Sequence, residues 1–285
     1  MGIKVSVQKQ PLLLLTLLIG LSLPLIGCSN LTSGLTNKST PTVTTTANPV
    51  KTTETPSIVK KVDRDISIPI LYYHSITSIP KNELCMPPEQ FEKEIAYLSQ
   101  HGYHSVTLNQ LYNYFYGNGQ LPEKPIVVTF DDGYKDNYTN AFPILKKYNF
   151  TATVFVITSN VGHSNNLSWS QLQELTQNGW LVESHTVSHY DLTKLDSKKL
   201  AQELNDSKTN IEKQLGTTVD FFAYPSGRFN AKVERAVKGA GYRMAFTTQR
   251  GWADRAMDPL AIHRVYCFAS MRIAGFGQRV QNPNY

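Results

Sequence analysis

Blocks of like charge are missing from this 285-residue sequence: 28 lysines and arginines are dispersed among 22 aspartates and glutamates, for a net charge of +6. So mild and scattered an excess offers no footprint for nucleic acid, though a basic surface suits anionic polymers. Cysteine is scarce. Cys28, Cys85 and Cys267 are the three present, which permits at most one internal bridge and leaves open whether Cys85 and Cys267 pair. No internal repeat is found, so a repeat array is excluded. Long apolar runs are absent except over residues 12–27. Residues 29–57, rich in Thr, Ser, Pro and Asn, almost lack large apolar side chains and cannot bury enough surface to offset the entropy of ordering.

The apolar run follows Lys4 and Lys9, contains Pro24 and ends in Leu25-Ile26-Gly27-Cys28. A basic start, an apolar middle and a small residue at the end read as a secretory leader. The ending resembles a bacterial lipobox, in which the cysteine is lipidated after cleavage; an ordinary signal peptide or an uncleaved anchor is the plainer alternative. The expected organisation is a leader over 1–27, a lipidated Cys28 with a flexible linker over 28–60, and a catalytic domain over 61–285. Loss of Lys4 and Lys9 leaves 26 basic against 22 acidic side chains, a net +4. Such a protein is expected to be extracytoplasmic and membrane-anchored through lipid, on the outer membrane if the source has one. The linker would hold the domain within reach of an extracytoplasmic polymer.

Beyond residue 66 short apolar runs alternate with segments of helical period. The 41% hydrophobic fraction supplies a sizeable core. Strand-like runs fall at 66–73, 126–130, 152–157, 180–183, 220–224, 243–247 and 260–265. Helical patterns lie between them: Phe91, Ile95 and Leu98 after Pro87-Pro88, then 138–148, 169–175 closed by Gly179, 200–215 closed by Gly216, and 233–240 closed by Gly241. Alternating strands and helices make an α/β fold with a parallel sheet. About seven such units in some 220 residues fit a closed or nearly closed barrel better than an open doubly wound sheet.

In such a barrel, functional groups sit where strands end. One run ends in Thr129-Phe130-Asp131-Asp132-Gly133, where Gly133 lets the backbone turn at once. Another leads into His185-Thr186-Val187-Ser188-His189. Carboxylate and imidazole are donors that zinc takes from a protein, and three such ligands leave a fourth position open to water. Alone, an Asp-Asp-Gly is more often a solvated turn and a pair of histidines more often a hydrogen-bonded loop. Together they point to a metal hydrolase. Pro225-Ser226-Gly227 and His263-Arg264 fall at two more strand ends. His74 either lines the floor of the site or closes the first strand. Trp169 and Trp180 read as core, Trp252 as core or as a sugar-stacking surface. His101, His104 and His163 carry no informative spacing.

These motifs resemble the polysaccharide deacetylases, the NodB-homology or carbohydrate esterase 4 family, whose catalytic domain is a distorted (β/α) barrel. The resemblance covers residues 66–266: Thr129 to Gly133 is similar to the first family motif and Ser184 to His189 to the second. Leu71-Tyr72-Tyr73-His74 and Phe222-Ala223-Tyr224-Pro225-Ser226-Gly227 look closest to the branch acting on poly-N-acetylglucosamine. The resemblance implies that Asp132, His185 and His189 hold one divalent ion, zinc by default with cobalt, nickel or iron as alternatives. It implies Asp131 as general base on an N-acetylated polysaccharide. An oxyanion donor is expected among the backbone N–H groups from Tyr224 to Gly227, foremost Ser226.

Two departures stand out. The arginine that orients the base in the third family motif is absent, and Arg264 is the expected replacement. The general acid, a histidine in a late strand motif, is matched only loosely by His263, and neighbours on a strand point to opposite faces. Two rival functions remain: an O-acetyl esterase on xylan-type glycans, for which protonating the leaving group matters less, and a carbohydrate-binding lipoprotein without turnover.

Overall fold

The computed structural model describes residues 66–285; the expected leader, Cys28 and the linker lie outside the described residues. Seven parallel strands close into a barrel: β1 (Ile70–Tyr73), β3 (Pro125–Phe130), β4 (Thr153–Val156), β5 (Leu181–Ser184), β6 (Phe221–Ala223), β7 (Met244–Arg250) and β8 (Ile262–Tyr266). Strand β1 closes it, pairing with β3 from Ile70 opposite Val127 and with β8 from Leu71 opposite Val265. A two-residue strand, β2 (His104–Ser105), adds to β3 outside the ring. The seven ring strands match the seven apolar runs. Two residues are too few for a periodic signal, which is why β2 escapes a sequence reading.

Side chains alternate between two buried layers, as a strand period of two requires. Inside the barrel, Ile70, Val127, Phe155, Phe221, Phe246 and Ile262 pack with Leu108, Leu111, Tyr114 and Phe115. The last four belong to helix α2 (Leu108–Tyr116), whose apolar face therefore packs into the barrel interior. Its first turn is closed by a reciprocal capping box between Thr107 and Gln110. The outward layer, including Val128, Phe130, Val154 and Val182, meets Phe91, Ile95, Leu172 and Leu204 of the surrounding helices. Burial on both faces is why these strands read as continuous apolar runs.

The surrounding helices are α1 (Pro88–Gln100), α3 (Phe142–Lys147), α4 (Trp169–Gln177), α5 (Ser197–Leu215), α6 (Ala231–Gly239) and α7 (Ile273–Gln281). The helix expected over 138–148 is split. A π turn at Asn137–Ala141 precedes α3, whose second residue is Pro143. A proline there lacks an N–H and crowds the carbonyl four residues back, which opens the preceding turn. Helix α7, also beyond the sequence reading, has no side-chain cap.

The β5/β6 seam is thin, with one residue pair, Ser184 and Phe222, in register, and the β7/β8 register shifts between Phe246 and Arg250. At the β5/β6 seam the buried carboxylate of Glu183 accepts the Phe221 N–H at 2.8 Å, and burial pushes its pKa well up. Cys85 and Cys267 are separate buried thiols, which answers the question of their pairing.

Candidate active site

Three strand ends converge on the C-terminal rim of the barrel. Asp131 extends the β3 ladder one step, its N–H donating to Tyr73 O at 2.9 Å. The chain then turns sharply, with Asp132 at φ 71°. Thr186 (71°), His189 (56°) and Ser226 (54°) are also left-handed, although none is glycine. Such backbone costs about 1–3 kcal/mol per residue and persists where the surroundings over-determine it, as at functional sites. Gly133 has no such penalty, and a Cβ there would sit 3.0 Å from Val156 Cγ1.

The turn brings Asp132 Oδ1 to 3.4 Å from His185 Nε2 and 3.6 Å from His189 Nε2. All three donor atoms lie within 4.8 Å of one another. A tetrahedral zinc site with bonds of about 2.1 Å has donors about 3.4 Å apart, so the residues fit the ion. His185 Nδ1 lies 2.7 Å from Ala223 O, so it carries the proton and donates there, which leaves the Nε2 lone pair for a metal. The second histidine is held through its own loop. Its N–H donates to Thr186 Oγ1 at 2.9 Å, and Ser188 N–H donates to Glu203 Oε2 at 2.8 Å. Glu203, on α5, is fully buried, a supporting carboxylate that sequence spacing does not disclose. Side-chain exposure rises from 3% at His185 to 33% at His189, so the cluster opens on the His189 side.

Burial would raise the Asp132 carboxyl, but His185 foremost and then the neighbouring imidazoles of His74 and His189 hold it well below the usual range. His185 is likewise disfavoured as a cation by burial, yet Asp132 and Asp131 raise it. His189 is lowered by burial and by His185.

Asp131 is gripped from the other side. Arg264 Nη1 donates to Asp131 Oδ1 at 2.8 Å and Nη2 to Oδ2 at 2.7 Å, a two-point fork with both partners buried. Two further donors of Arg264 are also used, Nε on Thr247 O and Nη1 again on Thr129 Oγ1. Its guanidinium lies 4.4 Å from the centre of the Tyr72 ring. Burial alone would raise Asp131, but the guanidinium overrides it and holds the carboxyl below its ordinary value. The cation absent from the third family motif thus stands on β8, two strands along the barrel from the β6 turn where the motif would place it.

Because Arg264 points inward, its neighbour cannot. His263 faces away, with Nδ1 packed over Gly251, so the expectation of His263 as general acid is corrected. His74, at the end of β1, is the histidine brought into the charge cluster instead. It feels the fields of Asp131, Asp132, Arg264 and His185. Its Nδ1 is buried without a hydrogen-bond partner, and its carbonyl is fixed by Asn137 Nδ2 at 2.7 Å.

Tyr224 also leaves the site. Its hydroxyl donates to Leu260 O at 2.9 Å in the outer layer and its N–H donates to Phe246 O. Gly227 N–H donates to Tyr224 O and Pro225 has none, so Ser226 carries the uncommitted N–H of the turn. Trp252 donates its indole N–H to Arg279 O at 2.7 Å and Trp180 stacks on Phe130 with ring centres 5.4 Å apart, both structural placements. Trp169 packs against the outer core. An open groove of about 560 Å³, lined by Ser75, Leu84, Tyr134, Asp136 and Asn140 among others, reaches toward the cluster through Tyr134, whose side chain interacts with Asp132.

The comparisons with known proteins agree with this geometry. A family profile described as polysaccharide deacetylase matches residues 118–245. The chain is 35% identical over 222 residues to a putative polysaccharide deacetylase, YxkH, of Bacillus subtilis, covering 78% of this chain and 79% of the relative. The chain belongs to the polysaccharide deacetylase family. As a deacetylase it is also 31% identical over 203 residues to the poly-beta-1,6-N-acetyl-D-glucosamine N-deacetylase of Staphylococcus aureus, covering 66% of this chain and 68% of the relative. Among solved structures, the Streptococcus pyogenes deacetylase PplD in complex with acetate superposes with a TM-score of 0.73 at 31% identity, over 76% of this chain and 100% of that one. IcaB from Ammonifex degensii gives 0.63 at 27% identity, over 76% and 96%. The deacetylase barrel expected from the motifs is the observed fold.

Proposed function

We propose that this deacetylase removes N-acetyl groups from a poly-N-acetylglucosamine-like glycan outside the cytoplasm, using one divalent ion, zinc by preference, with the chain tethered through a lipidated Cys28. The observation that carries the reaction is the Asp131–Arg264 fork beside the Asp132, His185 and His189 cluster. The relatives named as poly-N-acetylglucosamine deacetylases support the substrate class. The lipobox-like ending at Cys28 supports the tether.

When bound, the ion supplies a water of lowered pKa and polarises the acetamide oxygen. Asp131 is kept ionised at neutral pH by Arg264. Its carboxylate has lone pairs beyond the two that the guanidinium takes, and these accept the proton of the attacking water. Arg264 is itself locked by Thr247 and Thr129, so the base does not rotate away. The Ser226 N–H, held in its left-handed turn, donates to the oxyanion that develops on the acetamide oxygen. The proton taken up by Asp131 has to reach the sugar nitrogen as the carbon–nitrogen bond breaks, and His74, kept neutral by burial beside Asp131, relays it, so that acetate and a free amine leave. Each new amine places a positive charge on the polymer.

Acetate release from β-1,6-linked N-acetylglucosamine oligomers, chitin oligomers and acetylxylan, with and without chelator, tests the reading. Chelator-sensitive release from an N-acetylated oligomer is expected. Release from acetylxylan only, or bound metal with no acetate from any glycan, would contradict it.

A further inference from the structure

A second cavity, of about 680 Å³, opens beside α7, lined by Arg250, Arg272 and Arg279 with Phe268 and Tyr285. No aspartate or glutamate lines it. Arg228, Arg243 and Arg264 each hold an aspartate, whereas among the described residues these three arginines have no aspartate or glutamate side chain within ion-pair distance. The nearby carboxylate of Glu83 is occupied by the Ser270 N–H at 2.9 Å. Aromatic rings and main-chain oxygens position the guanidiniums instead. Arg279 lies 5.1 Å from the Phe268 ring centre and 4.9 Å from that of Tyr285, and Arg250 lies 5.2 Å from Tyr285. Arg279 Nη1 donates to Tyr266 O at 3.3 Å and Arg250 Nη2 to Tyr285 O at 3.5 Å. An arginine has five N–H donors, so most remain uncommitted.

Three cations in one concavity repel each other, and an anionic oxygen group relieves that repulsion while matching the guanidinium fork. The cavity also connects to the catalytic rim. Tyr72, against which Arg264 rests, stacks on Tyr266 at 5.1 Å, and Tyr266 neighbours Phe268 at 5.3 Å. This row of rings leads from the base-holding arginine to the arginine cavity; Tyr72 is buried, and the partly exposed Tyr266 and Phe268 offer the flat apolar faces that suit sugar rings.

We propose that the cavity is a substrate subsite that takes a phosphate or carboxylate group carried by the glycan a few sugar units from the acetamide under attack. The proposal rests on the deacetylase reading for its substrate and deepens it: the preferred polymer is anionic rather than neutral. Arg272 and Arg250 act as exposed anion donors, and Arg279 is fixed against the aromatic wall.

The test uses the mature chain and N-acetylglucosamine oligomers of equal length, one neutral, one bearing phosphate and one bearing a carboxylate. Each exposed charge contact contributes modestly, so KM for a charged oligomer should be lower than for the neutral one by roughly three- to tenfold at low salt, with the advantage fading as salt rises. In Arg250→Gln/Arg272→Gln, the ratio of charged to neutral KM should fall to about one. Preference for phosphate or for carboxylate identifies the source of the anion. Equal KM for all three oligomers, or a preference that survives in the double variant, would overturn the proposal. So would anionic phospholipid vesicles retained by the wild type and lost by the variant without discrimination among oligomers, which would assign the cavity to a membrane headgroup. If no glycan yields acetate, the functional reading fails, and calorimetric binding of the charged oligomer, lost in the variant, still decides the subsite.

Discussion

Replacing Arg264 with methionine should disable the base without emptying the metal site. The methionine stem can keep part of the packing on Tyr72 while both fork bonds, 2.8 and 2.7 Å, are removed. Removing one partner of a buried ion pair costs about 3–5 kcal/mol of stability, because the other charge is left without compensation. The sign follows from Asp131. With Arg264 present its folded pKa lies below the unfolded value, so its contribution is in place above the unfolded value and is lost as pH falls through the depressed one. Without Arg264, burial is the dominant influence and the carboxyl protonates at a higher pH.

The acid limb of the activity profile should therefore move upward. Turnover at neutral pH should drop by about 100- to 1,000-fold, the equivalent of roughly 3–4 kcal/mol of lost charge-assisted bonding. The assay is acetate release against pH, with metal content and thermal unfolding measured on the same samples. Asp131→Asn should abolish activity, and the double variant Asp131→Asn/Arg264→Met should be no less active than Asp131→Asn alone and more stable than Arg264→Met. Wild-type rate with an unmoved acid limb in Arg264→Met would refute the reasoning, and loss of bound metal would show that the arginine acts on the ligands instead.

His74→Asn should lower kcat on acetamide substrates by about 10²–10⁴-fold and spare activated acetate esters, with metal retained, whereas His263→Ala should leave acetamide turnover within about twofold. Gly227→Ala should impair turnover more than tenfold or destabilise by about 1–3 kcal/mol, because φ is 68° there and a Cβ would meet Thr248 Oγ1 and sit 2.8 Å from Thr248 N; acetate release and melting temperature read it. Burial on α1 pushes Glu94 up from 4.5 to about 8. Between those values the folded state holds a proton that the unfolded state has lost, so stability falls as pH rises, by at most about 1.4 kcal/mol per unit. Glu94→Gln should therefore raise the melting temperature more at pH 8 than at pH 5.

The seven ring strands were legible because each is buried on both faces and appears as an apolar run. Strand β2 and helices α2 and α7 were not, although the Thr107/Gln110 capping box marks α2. At the site, Asp131, Asp132, His185 and His189 are encoded by local spacing and could be read directly. The partner of the base was reachable only by assuming a closed barrel, since Arg264 meets Asp131 across 133 residues of sequence. Period-two alternation showed that His263 and Arg264 could not both face inward but not which would. His74 stayed ambiguous because a histidine ending a strand looks the same whether it closes the ladder or enters the centre. Glu203 supports the His189 loop through a backbone N–H, an interaction that leaves no residue-type pattern. The Tyr224 hydroxyl was drawn away by Leu260 O, a tertiary contact invisible in its own motif.

The most direct measurement is an anomalous difference map from zinc-loaded crystals of the catalytic domain. It should show one peak within about 2.0–2.2 Å of Asp132 Oδ1, His185 Nε2 and His189 Nε2, with Asp131 outside bonding distance and still held by Arg264. A peak bound by Asp131 in place of Asp132, or no peak between the two histidines in a chain that releases acetate, would contradict the account.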